Sequence, residues 1–153
     1  MKYNPVGVGE IELNTIILDL NGTLAVSGEI VEGCKERIQK LKELGYKIYL
    51  FTGDQRGNAT LQASKLGIEV KIAKNTEEKA TLTNNLDVEK TVAIGNARID
   101  IGTFTPSKLR IGVLQAEGIH CSILPYIDIL TPTINNALDL LIDPNIFSAT
   151  MRK

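Results

Sequence analysis

Short apolar runs typical of β-strands alternate with amphipathic helical stretches along almost the whole chain of 153 residues. Buried parallel strands read as short apolar runs, and helices that pack on a sheet repeat their apolar residues every three to four positions. This alternation predicts a parallel α/β sheet covered by helices on both faces. The predicted strands are residues 15–18, 47–52, 68–72, 91–94, 110–114 and 120–124. The predicted helices are residues 30–44, 58–66, 76–86, 100–104 and 135–142.

The composition argues against several classes of function. The chain is 43% hydrophobic and 23% charged, carries a net charge of −1 and lacks tryptophan. This balance disfavours nucleic acid and anionic membrane surfaces as partners. No apolar run approaches the ~20 residues of a membrane span, and the first residues lack a signal-peptide pattern. Cys34 and Cys121 lie far apart and have no metal-ligand spacing. We therefore expect a cytoplasmic protein with reduced thiols and a single domain, residues 1–153.

The segment Asp19-Leu20-Asn21-Gly22-Thr23-Leu24 carries the strongest chemical signal. Asp19 ends the first predicted strand, and a carboxylate there can accept a phosphoryl group or bind a metal ion. Gly22 permits a tight turn whose exposed N–H groups form an anion-binding concavity. By itself the segment has a second interpretation, because Asn-Gly is a common turn after any strand.

Three further strand or helix ends support the first interpretation. Thr52 and Gly53 follow the second strand, where a hydroxyl group can bond a phosphoryl oxygen. Lys79 can neutralise charge on a nucleophile and a phosphate, although a solvated helix lysine is the ordinary alternative. After the fourth strand, Asn96 and Asp100 offer the hard oxygen donors that Mg²⁺ prefers, although an acid at a helix start is an alternative for Asp100. Ligands bind outside the carboxyl ends of parallel strands, so we expect these residues to meet at one site.

The order of these motifs resembles that of the haloacid dehalogenase (HAD) superfamily: aspartate turn, threonine, lysine, acidic loop. Within it, D-x-N-G-T-L-A at residues 19–25, T-G-D at 52–54 and Lys79 are similar to the phosphorylation domain of P-type ATPases. The likeness extends to soluble P-type-ATPase-like phosphatases, whose ending resembles residues 137–152. The resemblance implies a HAD-like, Rossmann-like fold of three layers, α/β/α.

The resemblance also implies roles for individual residues. Asp19 would be the nucleophile and form an aspartyl-phosphate that water hydrolyses. Thr52 and Lys79 would be catalytic and hold the phosphoryl oxygens. The residues implied for substrate binding are Asn21, Gly22, Thr23 and Gly53. The residues implied for Mg²⁺ are Asp19, the main-chain carbonyl of Asn21, Asp100, and Asn96 as a neutral oxygen that either binds the ion or lies just behind its ligands.

Three residues depart from the family pattern. Asn21 stands where many HAD phosphatases have a second aspartate that acts as general acid and base, a function worth ~10²–10⁴-fold in rate. Asn96 stands where an acid usually follows the glycine, and Ile99 where P-type pumps often have an asparagine. Two hypotheses therefore stay open. The chain is a slow magnesium-dependent phosphatase, or it is a catalytically weak binding or regulatory module that retains phosphate and magnesium geometry.

Other classes fit less well. A receiver-like signalling domain has an aspartate and a lysine, but it lacks the T-G-D motif and carries extra acids near its first strand. A membrane pump is excluded, because no segment is apolar enough to span a bilayer. The predicted elements fill the stretches from Thr23 to Thr52 and from Asp54 to Lys79, which leaves no room for a cap domain. We expect an open site that takes a large phosphorylated substrate, or a small one beneath a neighbouring copy of the chain in a homo-oligomer.

Overall fold

A computed structural model describes residues 1–53 and 58–153 of the chain. Its strands are β1 (Lys2–Tyr3), β2 (Ile11–Glu12), β3 (Thr15–Leu18), β4 (Ala25–Val26), β5 (Glu29–Ile30), β6 (Lys47–Thr52), β7 (Glu69–Ile72), β8 (Thr91–Gly95), β9 (Leu109–Val113) and β10 (Ile129–Thr131). Its α-helices are α1 (Cys34–Glu43), α2 (Asn58–Leu66), α3 (Thr76–Asn84), α4 (Ile101–Phe104), α5 (Ile134–Ile142) and α6 (Pro144–Met151). Short 3₁₀ helices lie at Val88–Lys90, Arg98–Asp100 and Cys121–Tyr126.

The central sheet of the described residues has six strands, all parallel, in the order β10-β9-β8-β3-β6-β7. The chain runs outward from β3 through β6 to β7, then returns to β8 on the other side of β3 and continues to β10. The direction of winding therefore reverses between β3 and β8. Ligands bind at such a switch point, outside the carboxyl ends of the strands. The predicted parallel α/β sheet is confirmed.

The first strand of this sheet is buried on both faces. All four residues of β3 are buried. Ile16 and Leu18 pack in the larger core with residues of α1 and α5. On the opposite face Ala93 of the neighbouring strand packs with Phe104 and Ile123. Successive residues of a strand point to opposite faces, so helices on both sides require an unbroken apolar run rather than alternation.

Strand β1 contacts the C-terminal helices through the buried Tyr3, which also bonds to the buried Tyr46. Tyr3 stacks on Phe147 of α6 with ring centroids 4.0 Å apart, and its hydroxyl donates to the Leu141 carbonyl at 2.6 Å. The Tyr46 hydroxyl therefore donates to the Tyr3 oxygen, at 2.5 Å. Burial raises the pKa of Tyr3 to about 12 against the opposing hydrogen bond with Tyr46, and burial also raises the pKa of Tyr46.

The helix predicted at residues 30–44 begins four residues later, at Cys34. Residues 29–30 belong instead to a hairpin of β4 and β5, whose turn has positive φ at Ser27 and Gly28. Gly33, directly before α1, also has a positive φ of 85°. A helix cannot continue through left-handed backbone. Ile30 lies four residues before Cys34, so it extends the apolar spacing without extending the helix.

The strand predicted at residues 120–124 is wrong. Residues Cys121–Tyr126 form a 3₁₀ helix, and the His120 side chain accepts a hydrogen bond from the Ser122 N–H at its start. Pro125 lacks the N–H that an inner strand would need. The sixth strand of the sheet is β10, five residues further on. The prediction also omitted β1, β2, β4 and α6, and it extended α3 two residues beyond its end at Asn84.

Candidate active site

A cavity of about 500 Å³ opens at the carboxyl ends of the central strands. The side chains and backbone that line it come from the turns after β3, β6 and β8 and from the starts of α2 and α3. The lining residues are Asp19, Asn21, Thr52, Gly53, Asn58, Lys79, Ala97 and Ile99. The structure therefore brings three predicted catalytic residues and two predicted substrate-binding residues to one cavity. Asp54, the last residue of the T-G-D motif, lies outside the described residues.

Lys79 lies between two carboxylates and is 1% exposed. Its Nζ donates to Asp19 Oδ1 at 2.8 Å and to Asp100 Oδ1 at 2.6 Å. The start of α3 orients it, because the Asn75 side chain accepts a hydrogen bond from the Glu78 N–H at 2.8 Å and caps the helix. The alternative of an ordinary solvated lysine is therefore wrong.

The three charges shift one another's protonation. Burial lowers the pKa of Lys79, but the attraction of Asp19 and Asp100 is larger and raises it overall. Burial raises the pKa of Asp19 to about 7 and the Asp100 carboxylate adds to the rise, while Lys79 and the Leu20 N–H oppose it. When Asp19 is ionised, the two carboxylates beside the one ammonium group leave an excess charge of −1 in a buried place. Such a charge is costly unless a further cation accompanies it.

Asp100 binds both Lys79 and the loop after β8. Its Oδ2 accepts hydrogen bonds from the N–H groups of Asn96 and Ala97, both at 2.9 Å. Its side chain is 1% exposed. Asp100 can therefore be both a helix-start acid and part of the site, because Oδ2 binds the backbone N–H groups before the helix and Oδ1 binds Lys79.

Asn96 lies behind the cavity and contacts the aspartate turn. Its Oδ1 accepts a hydrogen bond from the Thr23 hydroxyl at 3.2 Å, and its Nδ2 donates to the Gly118 carbonyl at 3.0 Å. Gly22 has a φ of 75°, and a Cβ there would lie 2.2 Å from the Asn96 Nδ2. Glycine is thus required by the backbone and by the close approach.

Four predicted site residues support the cavity from outside its lining. These residues are Gly22, Thr23, Asn96 and Asp100, all buried. The Gly22 N–H donates to the Ala25 carbonyl at 2.8 Å, within the turn. The sequence prediction missed Asn58, Ala97 and Ile99. The start of the predicted helix at residue 58, four residues after the end of the T-G-D motif, was a usable signal for the first of them.

The donors at the site fit a hard divalent cation with few anionic ligands. In the described part of the chain, no three His, Cys, Asp or Glu side chains converge to hold a metal ion. Asp19 and Asn21 do supply oxygen donors at the cavity, and with Asp19 ionised the carboxylates of Asp19 and Asp100 outnumber the Lys79 ammonium group. Magnesium needs only one or two carboxylates, with carbonyl oxygens, phosphate and water completing the octahedron.

Sequence comparison finds two archaeal relatives, and no family model matches the chain. A soluble P-type ATPase-like phosphatase of Methanocaldococcus jannaschii is 26% identical over 133 residues, which cover 84% of this chain and 49% of that protein. The chain thus spans about half the length of this relative. An uncharacterised protein of the same organism is 54% identical over 39 residues, 26% of this chain and 86% of that protein.

Solved structures with similar folds include several phosphatases. The cobalt-bound deoxy-D-mannose-octulosonate 8-phosphate phosphatase of Haemophilus influenzae has a TM-score of 0.73 at 15% identity, covering 93% of this chain and 94% of that one. The corresponding enzyme of Moraxella catarrhalis, in complex with magnesium, phosphate and the sugar acid, has a TM-score of 0.71 at 17% identity, covering 92% and 94%. Phosphoserine phosphatase in its apo form has a TM-score of 0.69 at 14% identity, covering 85% and 98%.

At these identities the likeness to the solved structures concerns the fold alone. The sequence likeness is to the soluble P-type ATPase-like phosphatase, of which the chain covers about half. Both agree with the order of motifs that begins at Asp19. The chain has the HAD-like, Rossmann-type fold, and its resemblance to soluble P-type-ATPase-like phosphatases is confirmed.

Proposed function

We propose that the protein is a magnesium-dependent phosphatase that acts through an aspartyl-phosphate on Asp19. The observation that carries this proposal is the pair of contacts from Lys79 Nζ to Asp19 and Asp100. These contacts lie beside the carboxyl ends of β3 and β8, where the winding of the sheet reverses. Thr52 lines the same cavity from the end of β6. The phosphatases among the similar sequences and folds give further support.

In the proposed reaction, the Asp19 carboxylate attacks the phosphorus of a phosphate monoester. The new bond joins an Asp19 oxygen to phosphorus, and the ester oxygen leaves with the bonding electrons. Because Lys79 donates to Oδ1, we expect Oδ2 to make the attack. Water then attacks the phosphorus of the aspartyl-phosphate, which releases inorganic phosphate and restores the carboxylate. Both steps depend mainly on positioning and on charge stabilisation.

The remaining residues position the phosphoryl group. The Thr52 hydroxyl and the Lys79 ammonium group would bind its oxygens, at the cavity wall that both line. Asn21 and Gly53 border the same opening and would contact the substrate there. Gly22 and Thr23 shape the turn from behind. Asp19 and the main-chain carbonyl of Asn21 would hold Mg²⁺, with Asp100 and Asn96 around them, and the ion would neutralise negative charge on the phosphate.

Asn21 decides which substrates turn over well. It lies at the mouth of the cavity, where an amide side chain can neither deliver nor remove a proton. The leaving oxygen must therefore take its proton from water, so acyl and aryl phosphates should react faster than alkyl phosphates. With Asn21 and the neutral Asn96 together, a binding or regulatory module with little turnover is the second candidate function.

The substrate and the surroundings of the site remain part of the proposal. The cavity is open, and we expect a phosphorylated macromolecule, or a small phosphorylated compound enclosed by a neighbouring copy of the chain. Nucleic acid and membranes are not expected partners, and a cytoplasmic location is expected. No helix in the described ranges is long and apolar enough to cross a membrane.

We also propose a single domain without a cap, in which the β4–β5 hairpin is the insertion between the aspartate turn and α1.

The decisive experiment measures phosphate release from an aryl phosphate and from an acyl phosphate as Mg²⁺ is titrated. Asp19→Asn serves as the inactive control, because the amide keeps the shape of the carboxylate but is a poor nucleophile. Magnesium-dependent release that disappears in Asp19→Asn supports the phosphatase. Phosphate binding without release in the unsubstituted protein would establish the binding module instead.

A further inference from the structure

The side chain of Asn96 connects two loops that are far apart in sequence. Its Oδ1 accepts from the Thr23 hydroxyl at 3.2 Å, and its Nδ2 donates to the Gly118 carbonyl at 3.0 Å. The residue is buried, at 7% exposure. Both ends of the amide are therefore satisfied by the protein itself, one by the aspartate turn and one by the segment of residues 114–120 after β9.

The chemistry of the two partners fixes the orientation of this amide. A backbone carbonyl can only accept hydrogen bonds, so the NH₂ end must face Gly118, and the oxygen must face the Thr23 hydroxyl. An ionised aspartate at this position could still accept from Thr23. It could not donate to Gly118, and its charge would lie beside the carbonyl oxygen at hydrogen-bond distance, which is unfavourable in a buried place.

Backbone contacts reinforce the same junction. The His120 N–H donates to the Asn96 carbonyl at 2.9 Å, so two of the Asn96 polar groups hold residues 114–120. That segment also reaches the β4–β5 hairpin, because Glu117 Oε1 accepts from the Ser27 N–H at 2.7 Å. The loop after β8, the aspartate turn and the hairpin thus meet through Asn96 and the segment beside it.

We propose that Asn96 is a positioning residue whose amide fastens the aspartate turn to residues 114–120, and that this need for a donor explains an asparagine in place of an acid. The residue acts on the site through Thr23 and the turn that carries Asn21. The consequence for phosphoryl transfer rests on the proposed function, whereas the fastening itself does not. It can therefore be tested on protein without substrate or metal.

The test compares Asn96→Asp with Asn4→Asp, which makes the same chemical change at an exposed position. Both variants are studied in a chelator, by thermal unfolding and by amide hydrogen exchange. In Asn96→Asp we expect exchange at the His120 N–H to rise about tenfold or more, and the melting temperature to fall by roughly 3–10 °C. Asn4→Asp should change neither. Unchanged exchange and melting in Asn96→Asp would overturn the proposal.

A milder variant covers the case in which Asn96→Asp fails to fold. Thr23→Val keeps the shape of the threonine side chain and removes only the hydroxyl that donates to Asn96. It should raise exchange at His120 by a smaller factor, because Gly118 keeps its donor. If Thr23→Val and Asn96→Ala both leave exchange at His120 as in the unsubstituted protein, the amide fastens nothing. Neither result depends on phosphatase activity, so the proposed function can fail while this inference stands.

Discussion

The Lys79 ammonium group is closer to Asp100, at 2.6 Å, than to Asp19, at 2.8 Å. The lysine thus has a fixed anionic partner that is not the proposed nucleophile. In the proposed reaction the charge on Asp19 would move onto the phosphate, and Lys79 would have to stay in place while this happens. Its bond to Asp100 supplies that anchor, so the geometry required for charge stabilisation exists before substrate arrives.

Asp19→Asn should lower the rate of phosphate release by roughly a thousandfold or more, because the variant lacks the nucleophile on which the other site residues act. The fold should persist, since Lys79 keeps its contact with Asp100. The measurement is release from an aryl phosphate, with trapping of the phosphorylated protein by acid quench. Asp87→Asn, at an exposed position, should leave the rate unchanged. A phosphorylated Asp19→Asn protein would place the nucleophile elsewhere.

Asp100→Asn should both destabilise the protein and raise the magnesium requirement. One end of an asparagine side chain would present N–H groups to the N–H groups of Asn96 and Ala97 or to the Lys79 ammonium group. We expect a loss of about 1–3 kcal/mol in the free energy of unfolding, measured in urea. Magnesium titration of the rate supplies the second readout, because only one carboxylate would remain. An unchanged magnesium curve with the same loss of stability would make Asp100 a structural acid only.

Sequence reasoning recovered the parallel sheet and the residues around Asp19 because both have local signatures. An apolar run ending in a polar residue marks a buried strand, and parallel strands bring their carboxyl ends to one edge. The contact of Lys79 with two carboxylates follows from that topology. The hairpin before α1 was missed because Ile30 continues the helical spacing across Gly33. The bond from Asn96 to the Gly118 carbonyl could not be foreseen, since a backbone acceptor in a distant loop leaves no side-chain signal.

Asn21→Asp should raise hydrolysis of alkyl phosphates more than that of aryl phosphates. A carboxyl group at the mouth of the cavity can protonate a poor leaving oxygen and then activate water, help that is worth ~10²–10⁴-fold. A good leaving group needs little of it. The rates of both substrate types are compared in the variant and the unsubstituted protein. An equal change for both would show that proton transfer does not limit turnover.

Asn96→Asp should lower the magnesium concentration needed for half-maximal rate, even though the same change should loosen residues 114–120. Affinity for a hard cation increases with the number of anionic ligands and nearby charges. The two effects have opposite signs and separate readouts, the magnesium curve and the melting temperature in a chelator. If the variant is less stable but needs as much magnesium as the unsubstituted protein, a negative charge at this position does not strengthen magnesium binding.

The paired tyrosines Tyr3 and Tyr46 make the fold sensitive to alkaline pH. Burial raises the pKa of Tyr3 to about 12, against the opposing hydrogen bond from Tyr46, and burial raises the pKa of Tyr46 as well. An unfolded tyrosine loses its proton near pH ~10. The folded state therefore binds more protons than the unfolded state above that value, and the contribution to stability, complete below pH ~10, is lost as the pH rises toward 12.

The prediction is that the free energy of unfolding falls steeply between pH ~10 and 12 and that Tyr46→Phe makes the fall shallower. That variant removes one titrating phenol, while Tyr3 keeps its bond to the Leu141 carbonyl. Urea unfolding at several pH values measures the slope. Tyr126→Phe, at an exposed position, removes a tyrosine without touching the pair and should keep the slope of the unsubstituted protein. If the free energy of unfolding falls as steeply with pH in both variants as in the unsubstituted protein, the alkaline loss of stability arises from groups other than this pair.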